Sequence, residues 1–185
     1  MDSKYQSVMK NNTWQLVDLP PGKKPIGCKW IFKTKYKSDG TIDKYKARIV
    51  AKGYAQQEGI DYEETFAPTA KIKKIRMIFA LSAQFGWKFH QMDVKSSFLN
   101  GDLQEEVYMT QPEGYVIPRK EMMVCRLIKS LYGLKQAPWE WYIKIDEHPI
   151  SHRFERNPYD PNLYLKKQEG EIVIVVFYVD DLVIT

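Results

Sequence analysis

The chain has 185 residues, 44% hydrophobic and 28% charged, which suits a folded globular protein and excludes fibrous or disordered classes. No apolar run approaches the ~18 residues of a membrane helix, and Met1-Asp2-Ser3-Lys4-Tyr5 lacks the layout of a secretory leader. Cys28 and Cys125 stand alone, which excludes a zinc finger or disulfide scaffold and suits a reducing compartment. The net charge of +5 is uneven: residues 1–76 hold 16 basic and 8 acidic side chains, residues 77–185 hold 12 and 15. A basic first part points to a polyanion and an acidic remainder to metal chemistry. On charge alone, an ordinary solvated surface is the favoured reading.

The segment Asp18 to Pro25 reads as a loop or linker. Lys29 to Lys37 alternates with period 2, and so does Ile42 to Ala51. Ser38-Asp39-Gly40-Thr41 between them predicts a β-hairpin. A two-residue loop at Asp39-Gly40 would set Lys35 opposite Lys44 and Lys33 opposite Lys46, with Lys37 and Arg48 on the same face. Like charges facing each other destabilise a hairpin, so this face suits phosphates as well as solvent. From Thr69 to about Phe85 the spacing predicts a helix, with Ile72, Ile75, Phe79 and Ser82 on one stripe and Gly86 as its stop. Trp87 to Asp93 reads as a strand and Ser96 to Leu99 as a short helix. Leu131 to Pro138 reads as a turn into an aromatic helix, Trp139 to about Asp146. Ile172 to Tyr178 and Leu182 to Ile184 form a second hairpin. Strands and helices mix without βαβ alternation, so the class is α+β with an antiparallel sheet and packed helices.

That second hairpin carries Asp180 and Asp181 between apolar strands. An unpaired buried charge costs more than one strand returns, so a divalent cation is the simplest reason for the pair. Asp93, at the end of an upstream strand, is the best candidate for a third carboxylate. Converging carboxylates repel one another by roughly 4 kcal/mol at about 4 Å, which a cation offsets. Two cations about 3.5–4 Å apart can clamp the attacking and leaving oxygens of a phosphoryl transfer. A solvated turn is the commoner role of a bare Asp-Asp pair.

Tyr178-Val179-Asp180-Asp181 in an apolar hairpin resembles the active-site turn of reverse transcriptases. The wider pattern is similar to the Ty1/copia-type branch of LTR retrotransposons. It runs through Lys29-Trp30-Ile31-Phe32-Lys33, Tyr45 to Tyr54, Gly59 to Pro68, His90 to Lys95, Phe98-Leu99-Asn100-Gly101, Glu106 to Met109, Gln111 to Tyr115 and Ser130 to Pro138.

The resemblance implies a right-hand polymerase holding fingers and a partial palm without a thumb. Residues 1–25 would be an N-terminal extension and linker, and 26–185 the reverse transcriptase domain. The fingers would occupy about 26–86 and 112–140, and the palm about 87–111 and 141–185. Asp93, Asp180 and Asp181 match the catalytic carboxylates and, with the Val94 carbonyl, the ligands of two Mg²⁺ ions, Mn²⁺ being an alternative. Lys44, Lys46 and Arg48 match cations that grip a triphosphate; amides from Val94 to Lys95 match a further triphosphate contact. Phe98 matches the ring that closes the pocket to a ribose 2′-hydroxyl, and Gln136 a sugar and template contact. The implied partners are an RNA or DNA template with primer, deoxynucleoside triphosphates and the rest of a Pol polyprotein, including thumb and RNase H. The implied location is intracellular and cytoplasmic, with no membrane, in a virus-like particle for an intact element.

The chain departs from that family at Trp139, where an arginine is usual, at Arg153, where a glycine is usual, and at Pro149, which is expected to break its helix. The acidic turn lies close to Thr185, so the second strand of its hairpin is expected to be an exposed apolar edge. Little polymerase activity is expected from these residues alone. An inert transposon remnant and a nucleic-acid-binding module are the alternative readings.

Overall fold

Helices α1 (Asp2–Lys10), α2 (Ile72–Phe85) and α3 (Ala137–Ser151) alternate irregularly with ten strands in the computed structural model, which describes residues 1–185. The strands are β1 (Trp14–Val17), β2 (Cys28–Tyr36), β3 (Ile42–Ala51), β4 (His90–Asp93), β5 (Tyr108–Met109), β6 (Val124–Leu127), β7 (Glu155–Asn157), β8 (Asp160–Gln168), β9 (Glu171–Tyr178) and β10 (Asp181–Ile184). They form three antiparallel sheets, ordered β1-β6-β5, β2-β3 and β4-β10-β9-β8-β7. The fold is therefore mixed α and β with antiparallel sheets. No helix is long and apolar enough to cross a membrane.

The chain divides into two compact units. The first is residues 1–65 with 98–140, the second residues 66–97 with 141–185. Residues 1–25 are built into the first unit: Val8 and Trp14 lie in its core, and β1 pairs with β6. Helix α2 belongs to the second unit because Ile75 and Ile78 pack with Ile174, Val176 and Val183 of β9 and β10. Ile72 and Phe79 of the expected stripe are exposed instead, with Phe79 edge-on to Phe89 at 4.7 Å.

The first unit is centred on Val8, Ile49, Leu99, Val107, Met109 and Leu131, all essentially buried. From this core the β2-β3 ribbon runs outward, and its far half is exposed on both faces. Lys33 pairs with Lys46 and Lys35 with Lys44, as the sequence suggests. The loop differs. The Lys37 amide donates to Thr41 O at 2.8 Å, which leaves three loop residues, Ser38-Asp39-Gly40. Gly40 takes φ 82°, and Asp39 accepts from the Thr41 amide. A register shift at Lys35/Tyr36 then absorbs the extra residue and restores the lysine pairing.

In the second unit, β10 is not an edge. It lies between β9 and β4, pairing Asp181 to Ile184 with Asp93 to His90. Residues about 90 positions upstream thus cover the strand that was expected to be bare. Pro149 does not break α3 either, because it falls in the last turn, where only one intrahelical bond is lost. The helix closes with Arg153 at φ 63° and the Phe154 amide on Pro149 O at 3.0 Å. Helix α2 closes the same way, with Gly86 at φ 67° and the Trp87 amide on Ser82 O. Arg153 thus occupies a left-handed position where glycine is the unstrained choice.

Candidate active site and nucleotide contacts

A continuous apolar run in β9 buries Ile174, Val175, Val176 and Phe177 on both faces of the sheet, and this places the acidic turn at the end of a rigid strand. Tyr178 pairs with Asp181, so the loop is Val179-Asp180. Val179 has φ 58°, and Asp180 has no positive φ. Positive φ at the first loop position alone is the type II′ pattern, which favours glycine; a β-branched residue there is strained. Two bonds hold the turn in place. The Trp141 indole N–H donates to Val179 O at 2.6 Å, and the Val94 amide donates to Asp180 O at 2.7 Å.

Asp93 and Asp181 are direct register partners on adjacent strands, so their side chains leave the same face of the sheet. Asp93 is exposed, and Asp180 and Asp181 are half-buried. Gln91, on that same face, donates to Asp181 Oδ1 at 3.4 Å. No lysine or arginine forms an ion pair with any of the three aspartates. Three carboxylates without a protein cation have the right chemistry for a hard divalent ion with oxygen ligands. The structure brings two of them to one register position and leaves Asp180 on the turn. It gathers no group of three acidic, histidine or cysteine side chains into a metal centre.

The cationic residues lie in the first unit. Lys33, Lys35, Lys44 and Lys46 crowd one face of the ribbon, and Lys35, the first cause, depresses the Lys46 pKa, with burial, Lys44 and Arg48 adding to it. Arg48 stands nearer the core, with its guanidinium carbon 5.8 Å from the Tyr132 ring centroid. Phe98 meets the same ring edge-on at 4.9 Å. Val94 is half-buried and Lys95 exposed, in the second unit.

Gln136 is held inside the first unit. It is 0% exposed. Its amide N–H groups donate to Asp61 O at 2.8 Å and Glu105 Oε2 at 3.3 Å, and its carbonyl accepts from Gln56 at 3.0 Å. These hydrogen bonds offset the cost of burying the amide, and they tie the loop after Gly53 to the start of α3.

Three residues with roles here carried no signal in the sequence. Trp141 falls within the expected aromatic helix, Tyr132 within the expected turn, and Glu140 drew no reading of its own. Glu140 is buried, and that burial, with Glu105 and Asp102 beside it, pushes its carboxyl up to about 7. Gly101 accommodates it, since a Cβ there would come within 2.9 Å of the Glu140 backbone and Cβ.

The chain thus carries two charged hairpins on a mixed α and β scaffold, an acidic one in the second unit and a cationic one in the first. Comparison with known proteins makes this specific. The profile of the reverse transcriptase (RNA-dependent DNA polymerase) family matches residues 11–185, and the chain belongs to that family. It is 47% identical over 185 residues to the retrovirus-related Pol polyprotein from transposon TNT 1-94 of Nicotiana tabacum. It is 42% identical over 186 residues to those from transposons RE1 and RE2 of Arabidopsis thaliana. Each alignment covers 100% of the chain but only 14%, 13% and 13% of the respective polyprotein. Such likeness identifies the chain more narrowly as the reverse transcriptase domain of a copia-type retrotransposon Pol polyprotein.

Proposed function

We propose that this domain adds deoxynucleotides to a primer 3′-hydroxyl on an RNA or DNA template. The observation that carries the proposal is the register pairing of Asp93 with Asp181 beside a turn pinned by Trp141 and Val94. Asp93, Asp180, Asp181 and the Val94 carbonyl would hold two Mg²⁺ ions. Bound there, the ions would neutralise the charge that develops on the attacking and leaving oxygens. The Val94 amide donates to Asp180 O, which holds the Val94 backbone next to the acidic turn.

In this reading the fingers occupy about 26–86 and 112–140, and the palm about 87–111 and 141–185. Lys44, Lys46 and Arg48 contact the triphosphate, Lys95 adds a cation near the metals, and Phe98 excludes a 2′-hydroxyl by its bulk. Phe98 is suited to that because Tyr132 backs its ring. Thumb and RNase H functions fall to other parts of a Pol polyprotein. Trp139 in place of the family's arginine removes one positive charge, so extension by this chain is slow.

Primer extension on an RNA template with Mg²⁺, with this chain compared to Asp181→Asn, tests the proposal. Extension that disappears in the variant supports it. Equal extension by both proteins refutes the assignment of Asp181, and extension by neither supports an inert remnant.

A further inference from the structure

We propose that His148 and His152, at the end of α3, form a two-imidazole site for a borderline divalent cation such as Zn²⁺ or Ni²⁺, distinct in residues and ligand chemistry from the acidic turn. The chain holds three histidines, His90, His148 and His152. The last two stand four residues apart, about one helical turn, so their side chains share a face. Their ring centroids lie 4.5 Å apart, with the planes tilted by 45°. Two imidazoles on adjacent positions of one ion, at about 2.0–2.1 Å per bond, have ring centres roughly 4.5–5 Å apart. Both residues are exposed, so an ion reaches them from solvent, and both belong to the second unit.

The local backbone decides which nitrogen faces an ion. Helix α3 ends at Ser151, and the His152 amide donates to Pro149 O at 3.1 Å, not to the His148 carbonyl four residues back. Side chains fill His148 O instead. Ser151 Oγ donates to it at 2.8 Å, and His152 Nδ1 lies 2.8 Å from it. A carbonyl only accepts, so His152 carries its proton on Nδ1, shared with Ser151 Oγ at 3.2 Å, and keeps the Nε2 lone pair for a metal. An Nδ1–H bond to a backbone carbonyl orients metal-bound histidines and raises their basicity. The His148 ring makes no hydrogen bond and packs on the His152 ring. The last carbonyls of α3 form the negative end of its dipole, which favours a cation at this point.

Imidazole nitrogens prefer Zn²⁺, Ni²⁺ or Cu²⁺, whereas Mg²⁺ prefers oxygen. Two protein ligands leave the remaining positions to water. A bound ion links the last turn of α3 to the residue past its end, directly ahead of Arg153 at φ 63°. It thus staples the turn that leads from α3 into β7. Because the pair is held together only in the folded chain, the ion stabilises that state by mass action.

The test titrates the full chain with Zn²⁺ at about pH 7.5, with excess Mg²⁺ present to occupy the carboxylates, and follows the heat of binding. His148→Gln and His152→Gln should each weaken Zn²⁺ binding by on the order of 100-fold, because each removes the chelate partner of the other. His90→Gln should leave it unchanged. Zn²⁺ should also raise the melting temperature of the wild type and leave that of either variant where it was. Both substitutions are on the surface, so the variants should melt like the wild type without Zn²⁺. Unchanged affinity in either variant overturns the site, and so does a wild-type chain that binds no Zn²⁺. Two ions per chain falling to one in each variant overturns it too, since that marks two independent histidines. Asp181→Asn should bind Zn²⁺ as the wild type does, so a failure here and a failure of primer extension are separate outcomes.

Discussion

The two hairpins of this chain each concentrate charge of one sign, and they do so in opposite ways. The β2-β3 ribbon spreads its lysines along an exposed face, with a relaxed three-residue loop and Gly40 at the positive φ. The β9-β10 hairpin sets its aspartates beside buried apolar residues, with a two-residue loop and Val179 at the positive φ. Water screens the first cluster, and it needs no anchors. The second is pinned by two hydrogen bonds from other elements. One charged cluster is thus held only by its own strand pairing, and the other is anchored to elements outside its hairpin.

The largest effect expected is on chemistry at the stiff hairpin. Asp181→Asn should lower Mg²⁺-dependent primer extension by about 100-fold or more, and a smaller loss would place the metal elsewhere. A buried acid outside both hairpins provides a reference for the cost of unscreened charge. Glu140, raised to about 7 from 4.5, is protonated in the folded state where the unfolded chain has already lost its proton. Stability should therefore fall as pH rises from about 4.5 to about 7, by on the order of 2 kcal/mol, and then level off. Denaturant melts across that range should slope for the wild type and flatten for Glu140→Gln.

Trp141→Phe removes the bond to Val179 O and should cost about 1 kcal/mol of stability, with a larger proportional loss of extension. An unchanged extension rate would show that the turn holds its shape without that anchor. Val179→Gly should stabilise by about 1 kcal/mol, because glycine suits the first position of a type II′ turn. A destabilised variant would mean that the Val179 side chain contributes more by packing than its φ costs. On the exposed ribbon, Lys46→Glu should change stability by only a few tenths of a kcal/mol, in the favourable direction, while weakening polyanion binding. A change of several kcal/mol in a melt would show that the lysine face is not solvent-screened.

Much of the local structure could be read from the sequence. Period-2 alternation around Asp39-Gly40 predicted the lysine pairing, although the loop reaches it by a three-residue turn and a compensating shift. Apolar residues on both sides of Asp180-Asp181 predicted their hairpin, and Gly86 predicted the end of α2. Features set by residues far apart in the chain were not legible. Nothing near Leu182 shows that His90 to Asp93 will cover it. Gln136 carries a binding-type side chain, but Asp61, Glu105 and Gln56 claim its polar atoms from a distance. The helical stripe of α2 was misplaced by part of a turn because the sheet it packs on, and not its own spacing, selected Ile78 over Phe79. Pro149 was read without knowing where the helix would end.

The backbone contact between Gly53 and Gly133 bears on how the protein is made. These residues stand 80 positions apart, yet a Cβ on Gly53 would meet Gly133 O, and one on Gly133 would meet Ala51 O and the Val50 side chain. During synthesis the end of β3 emerges long before its partner loop, and the whole of residues 66–97 is translated in between. The first unit therefore remains unfinished until the ribosome has passed residue 140, and its ribbon waits open until then. A ribosome that stalls earlier leaves an exposed aromatic and basic strand pair, a natural target for chaperones and proteases.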